Sequence, residues 1–197
     1  DYENLKLNKG EIKRKDIVYN YRYTGGDVTV FEMTGAQLKK YMEWSADYFD
    51  TIKKGDKNYR YNEERANLKY VTFDIFGGVK YKIDLRNPKG QKIINLTLEN
   101  GKKITPEMKI KVGMNFYRFE QLIKKDGIFE EEDIKMLWSS KDEIGSESGT
   151  IQNMMIDYIK KVQVVNNKRD FDERLMAFDI TENINNLKEI YQKGLKK

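Results

Sequence analysis

Val28-Thr29-Val30-Phe31-Glu32-Met33-Thr34-Gly35-Ala36-Gln37-Leu38-Lys39-Lys40-Tyr41-Met42-Glu43-Trp44-Ser45-Ala46 is the stretch on which the fold turns. Its first part alternates, with Val28, Val30 and Glu32 on one side and Thr29, Phe31 and Met33 on the other. This is the period-two pattern of a strand. Thr34 and Gln37 then stand at capping-box spacing: the Thr hydroxyl can accept from a helix N–H while the Gln reaches back. After them Leu38, Tyr41, Met42, Ser45, Ala46 and Phe49 share one face at helical spacing. The stretch therefore predicts a strand that runs straight into a helix.

Upstream, Leu5 to Tyr23 is mixed and Lys-rich, and Thr24-Gly25-Gly26-Asp27 reads as a turn, because Gly adopts positive φ without a steric penalty. Downstream, residues 53–69 are polar and read as a long exposed loop. Residues 70–112 carry the strongest β pattern. Val79, Tyr81, Ile83 and Leu85 alternate, Asn87-Pro88-Lys89-Gly90 supplies a turn, and Ile94, Leu96 and Leu98 alternate again. Asn100-Gly101 is a hairpin signal, and Ile110, Val112 and Met114 continue the pattern, so a meander of antiparallel strands is expected. The remainder reads as mainly helical. One stripe is Ile151, Met154, Met155, Tyr158 and Val162, with the methionines taken as core; a second is Ile184, Leu187, Tyr191 and Leu195, capped by Thr181. The expected class is α+β, a largely antiparallel or mixed sheet with flanking helices. The expected division is a domain over 1–165 and a helical extension over 166–197.

Of 197 residues, 39% are hydrophobic, with 13 Tyr and 9 Phe, enough to bury a core and to argue against general disorder. The chain has no Cys and no His, which removes thiolate sites, Cys nucleophiles and the commonest general base and transition-metal ligand. Glu130-Glu131-Glu132-Asp133 could face a cation, but before an apolar stretch it reads as the acidic start of a helix. No catalytic residue, metal ligand or cofactor is assigned to this chain. The net charge of +5 comes from 37 bases interspersed with 32 acids, a solvated surface rather than a nucleic-acid track. No run approaches the ~20 apolar residues of a spanning helix. The sequence opens at Asp1 without an initiator Met, as an excised piece of a longer protein would.

Two aromatic segments stand out: Tyr21-Arg22-Tyr23-Thr24-Gly25-Gly26 at the entry to the first strand, and Asn115-Phe116-Tyr117-Arg118-Phe119 just past the last strand of the meander. Aromatics at strand ends either fill a core or protrude from loops, where two of them could sandwich a nucleobase.

Four blocks in order resemble the C-terminal domain of bacterial 5'-nucleotidases and 2',3'-cyclic-nucleotide 2'-phosphodiesterases. The first is Val30 to Ala46. The second, Phe73-Asp74-Ile75-Phe76-Gly77-Gly78-Val79-Lys80-Tyr81-Lys82-Ile83-Asp84, is similar to that family's Asp…Gly-Val-x-Tyr-x-Ile-Asp hairpin. The third, Asn87-Pro88-Lys89-Gly90-Gln91-Lys92-Ile93, is similar to its Pro-x-Gly-x-Arg-Ile turn. The fourth, Asn115-Phe116-Tyr117-Arg118, is similar to its Asn-Asn-Tyr-Arg loop. The resemblance as a whole covers roughly residues 5–162.

The resemblance implies a division of labour. An N-terminal metallophosphoesterase domain, absent from this sequence, carries a divalent metal pair and performs the hydrolysis. The C-terminal domain binds the nucleotide or nucleoside, stacking its base between two aromatics. Those aromatics fall on Tyr23 and Tyr117, with Gly25, Gly26, Asn115, Arg118 and Phe119 as the accompanying site residues. The location implied is extracytoplasmic, in a bacterium. Three departures are visible. Where the family has Tyr-Asp-Asn this chain has Tyr23-Thr24-Gly25-Gly26; where it has Gly-Gly after the Tyr-Arg loop this chain has Glu120-Gln121; and the upstream ribose-contacting Arg residues have no match. They motivate an alternative: a non-catalytic extracellular interaction or scaffold domain that kept the fold.

Overall fold

The computed structural model describes residues 9–53, 59–66, 73–165 and 178–180. In chain order these give α1 (Arg14–Asn20), β1 (Val28–Thr34), α2 (Gly35–Ala46), α3 (Glu63–Ala66), β2 (Val79–Ile83), β3 (Ile93–Leu98), β4 (Lys109–Asn115) and α4 (Phe116–Ile123). A short 3-10 turn (Glu131–Asp133) precedes β5 (Lys135–Ser139), α5 (Ser140–Ile144), α6 (Ile151–Val162) and β6 (Phe178–Ile180). The class is α+β, as expected. The chain divides into two compact units: Asp1–Met33 with Lys109–Phe171, and Thr34–Met108 with Asp172–Lys197.

The first unit is built on a three-stranded sheet in the order β4-β1-β5. β1 and β5 pair antiparallel, with Thr29 opposite Ser139 and Glu32 opposite Lys135. Of the two faces of β1, the one that is buried carries Thr29, Phe31 and Met33. Phe31 stacks on Phe119 of α4, with ring centroids 4.1 Å apart. Burying such a pair contributes about 0.5–1.5 kcal/mol beyond its area. Leu122, Phe129, Ile134 and Ile17 are the other buried apolar side chains of this unit among the described residues. α1 packs against α6.

The second unit opens on the capping box read from the sequence. Gln37 N donates to Thr34 Oγ1 at 3.1 Å, and Thr34 N donates to Gln37 Oε1 at 2.7 Å. Gly35 stands between them because a Cβ there would lie 2.1 Å from the carbonyl oxygen of Thr105. Leu38, Tyr41, Met42, Ser45 and Ala46 are buried on the predicted helical face, whereas Phe49, also buried, lies past the helix end and bridges to Tyr61. α2 packs on β3, and β2 and β3 pair antiparallel; β2 also takes β6 on its other side in parallel. Asp74 accepts from the Tyr41 hydroxyl at 2.9 Å, so the conspicuous Asp of that block anchors its own segment to α2. Lys92, 1% exposed, donates from Nζ to Asp47 at 3.4 Å and to the Phe49 carbonyl at 2.5 Å, while the Glu43 carboxylate accepts from the backbone N–H of both Lys92 and Ile93 at 2.8 Å.

Several expectations change. The meander ends early: after the Asn100-Gly101 turn the chain returns only as far as a bridge between Thr97 and Lys103. Pro106 lacks a backbone N–H, and its carbonyl accepts from Ala36 N at 2.9 Å. β4 joins β1 instead of β3. The acidic run precedes a strand, not a helix, since Lys135–Ser139 is a short apolar run whose partner is β1. The polar stretch 53–69 contains α3, with Arg65 buried and its guanidinium 3.8 Å from the Trp44 ring centroid. Met154 and Met155 are half-buried rather than core. Residues 178–180, inside the extension expected to be helical, form β6; the Ile184–Leu195 stripe and its Thr181 cap lie outside the described residues.

Candidate functional site

The start of β1 and the end of β4 meet: Thr29 Oγ1 donates to the carbonyl of Met114 at 3.0 Å. The segment that leads into β1 and the segment that leaves β4 therefore emerge at the same end of one sheet. The candidates Tyr23, Gly25 and Gly26 lie on the segment that leads into that end, and Asn115, Tyr117, Arg118 and Phe119 on the segment that leaves it, all within the first unit.

The loop side is open. Tyr23 is 73% exposed and meets Tyr21 in a T-shaped arrangement at a ring-centroid distance of 5.5 Å. The Tyr21 phenol is raised above the ordinary tyrosine range, first by burial and then by Tyr23 and Asp27 nearby, so it is neutral at physiological pH. The carbonyls of Gly25 and Gly26 accept from Lys141 Nζ at 2.7 Å and from Ile151 N at 2.8 Å.

The second segment is not a loop. Asn115 is the N-cap of α4, its Oδ1 accepting from Arg118 N at 2.7 Å, and Tyr117 rides on the first turn of that helix, 45% exposed. Arg118 is 8% and Phe119 4% exposed. Phe119 is fixed against Phe31 as part of the core, and the Asn115 side-chain oxygen is already engaged. Each of these two side chains has a structural task of its own. Of the aromatic candidates, Tyr23 and Tyr117 keep exposed surface while Phe119 does not.

The sequence reading missed the residues that hold the first loop: Tyr21, Ser140, Lys141, Thr150 and Gln152. Asp27 bridges to Thr150, Val28 N donates to Ser140 Oγ at 2.9 Å, and Gln152 Nε2 donates to the Tyr21 carbonyl. A shallow groove runs elsewhere in the unit, along β5, lined by Met136, Leu137, Trp138, Ser139, Asp142 and Glu143; none of the candidate residues lines it. Among the described residues no group of three or more Asp, Glu, His or Cys side chains could hold a metal ion, and the tyrosines and glycines of this end are not a hard-cation ligand set. No described helix is long and apolar enough to cross a membrane.

An α+β domain with this order of elements defines a class, and comparison with known proteins places the chain within it. The chain belongs to the 5'-nucleotidase C-terminal domain family, whose model matches residues 2–129. It is 29% identical over 126 residues to a 2',3'-cyclic-nucleotide 2'-phosphodiesterase/3'-nucleotidase of Yersinia enterocolitica, covering 58% of this chain and 19% of that protein. It is 31% identical over 183 residues to the trifunctional nucleotide phosphoesterase protein YfkN of Bacillus subtilis, covering 86% of this chain and 11% of that protein. A Staphylococcus aureus protein assigned as a 5'-nucleotidase and solved with alpha-ketoglutarate shares the fold, with a TM-score of 0.63 at 22% identity over 87% of this chain and 30% of its own. The chain thus spans a fifth or less of the two curated relatives, 19% and 11% of their lengths.

Proposed function

We propose that this domain holds the nucleotide or nucleoside substrate of a two-domain phosphoesterase, with the base stacked between Tyr23 and Tyr117. The observation that carries the reading is the emergence of both tyrosine-bearing segments, each with an exposed ring, at one end of the β4-β1-β5 sheet. Stacking suits this end because it needs ring faces and no side-chain amide, and Thr24-Gly25-Gly26 offers none. Each stacked ring contributes about 1–3 kcal/mol and tolerates any base. Arg118 is the nearest cation in sequence to Tyr117, but it is buried, so the rings carry the grip. Hydrolysis falls to an N-terminal domain with its divalent metal pair, because a chain without His lacks the imidazoles that such a site uses. In this reading the domain contributes binding and orientation of the substrate, and the whole protein works outside the bacterial cytoplasm. Calorimetric titration with adenosine 5'-monophosphate tests it: Tyr117→Ala should weaken binding by about 1–3 kcal/mol, and equal binding by both proteins, or by neither, refutes the clamp.

A second reading, a scaffold domain that has lost its ligand, draws on Glu120 and Gln121 standing where relatives in the resemblance have Gly-Gly, and on the engagement of Asn115 in capping. A chain that shows no thermal shift with nucleotides yet binds an extracellular partner would favour it.

A further inference from the structure

Residues 21–27 approach the sheet as a short loop, and the tie points of that loop are unevenly placed. The carbonyl of Tyr21 accepts from the Gln152 side chain. The carbonyl of Gly25 accepts from Lys141 Nζ at 2.7 Å, and that of Gly26 from Ile151 N at 2.8 Å. Asp27 bridges to Thr150, and Val28 N donates to Ser140 Oγ, which itself donates to the Gly149 carbonyl at 2.6 Å. Arg22, Tyr23 and Thr24, all exposed, lie between the first tie and the second. Every partner that ties the loop in this set lies in 140–152, beyond the family match at 2–129.

The Tyr23 ring has a support as well. Tyr21 meets it in a T-shaped arrangement at 5.5 Å, and the Tyr21 phenol in turn packs beside Gly26, where an added Cβ would come within 2.6 Å of the hydroxyl. Gly26 is thus the floor that lets Tyr21 sit where it does.

Resting on the nucleotide-binding reading above, we propose that Lys141 and Gln152, with Tyr21 and Gly26, are positioning residues that preset Tyr23 for a base. The loop is tied on both sides of Tyr23, so little conformational freedom is left to lose when the ring is covered. Ordering a free loop at the moment of binding would subtract from the small stacking energy that one ring supplies. The C-terminal part of the domain, residues 140–152, thereby acts on substrate affinity without touching the substrate.

The test is a double-mutant cycle read by calorimetry, with adenosine 5'-monophosphate as the probe and the full chain as the protein. Gln152→Ala and Lys141→Met should each raise Kd on the order of tenfold, and in a Tyr23→Ala background neither should raise it further. Gly26→Ala, which pushes on Tyr21 from outside the 140–152 segment, should show the same dependence on Tyr23. Circular dichroism of each variant separates lost positioning from lost folding; should Gln152→Ala unfold, Lys141→Met and Gly26→Ala carry the same cycle. If the wild-type chain binds the probe and these variants bind equally well, or if their losses add fully to that of Tyr23→Ala, the positioning role is overturned while the clamp stands. If the wild-type chain binds no probe, the clamp itself fails and the positioning proposal falls with it.

Discussion

Tyr48, Phe49, Tyr59, Tyr61 and Phe73 make one aromatic group of this molecule; Tyr21, Tyr23 and Tyr117 belong to the other region that the sequence marks as aromatic. In the first group ring meets ring, mostly edge-on: Phe49 lies 5.3 Å from Tyr48, 5.4 Å from Tyr59 and 5.1 Å from Phe73. Tyr61, part of whose surface is exposed, still contacts Tyr48, Phe49 and Tyr59. The Tyr59 phenol is pushed above its ordinary range by burial and by its hydrogen bond with Tyr61, as expected of a ring whose partners are protein. In the second region Tyr23 meets one ring and turns most of its surface outward. Composition treats these tyrosines alike. Of these tyrosines Tyr23, 73% exposed, is the one the fold covers least, whereas Tyr61 and Tyr117, at 40% and 45%, are alike in exposure.

Substitutions should break the two regions in different ways. Phe49→Ala removes the hub of the packed group and should cost about 3–5 kcal/mol of stability, read as a fall in the denaturant midpoint, with nucleotide affinity of the folded protein unchanged. Tyr23→Ala should do the reverse: a loss of about 1–3 kcal/mol in nucleotide binding, with stability within about 0.5 kcal/mol of the parent, as for exposed positions generally. Asn115→Ala sits between them. It removes the N-cap of α4 and should cost about 1 kcal/mol of stability, seen as a melting point lower by about 2–4 °C, and it should weaken binding only through the placement of Tyr117.

The smallest effect concerns Glu32 on β1, which accepts from Lys109 Nζ at 2.8 Å. That hydrogen bond, aided by the charges of Lys109, Lys135 and Lys111, holds its carboxyl below the usual range. A carboxyl depressed on folding adds stability above its unfolded pKa, and that stability is lost as pH falls through its folded value. Lys109→Ala should therefore be slightly less stable than the parent near pH 7, and the difference should vanish in strong acid and shrink in high salt. Denaturant midpoints taken across pH and salt check this.

How far these regions could be read in advance follows from how local their causes are. The Thr34/Gln37 box and the buried helical face from Leu38 to Ala46 depend on residues close in the chain, and they stand as read; Phe49 has the spacing of the same face but lies past the helix, paired with Tyr61. The need for Gly35 does not, because the clash it avoids is with Thr105. β4 looked like the next strand of a meander, since period-two alternation says that a strand exists but not which strand it joins. Asn115 carried a signal that could have been used: an Asn followed by Phe116, Phe119 and Leu122 at helical spacing is a helix start. Lys141 and Gln152 carried none, for they reach partners 116 and 131 residues away.

The central claim is that Tyr23 and Tyr117 face a base while the packed aromatic group does not. Tyrosine ring resonances, assigned by NMR and followed during titration with adenosine 5'-monophosphate, test it most directly. Stacking predicts that the Tyr23 and Tyr117 ring signals move together along one binding curve while those of Tyr48, Tyr59 and Tyr61 stay in place. Stationary Tyr23 and Tyr117 signals at saturating nucleotide, or movement confined to the packed group, would contradict it.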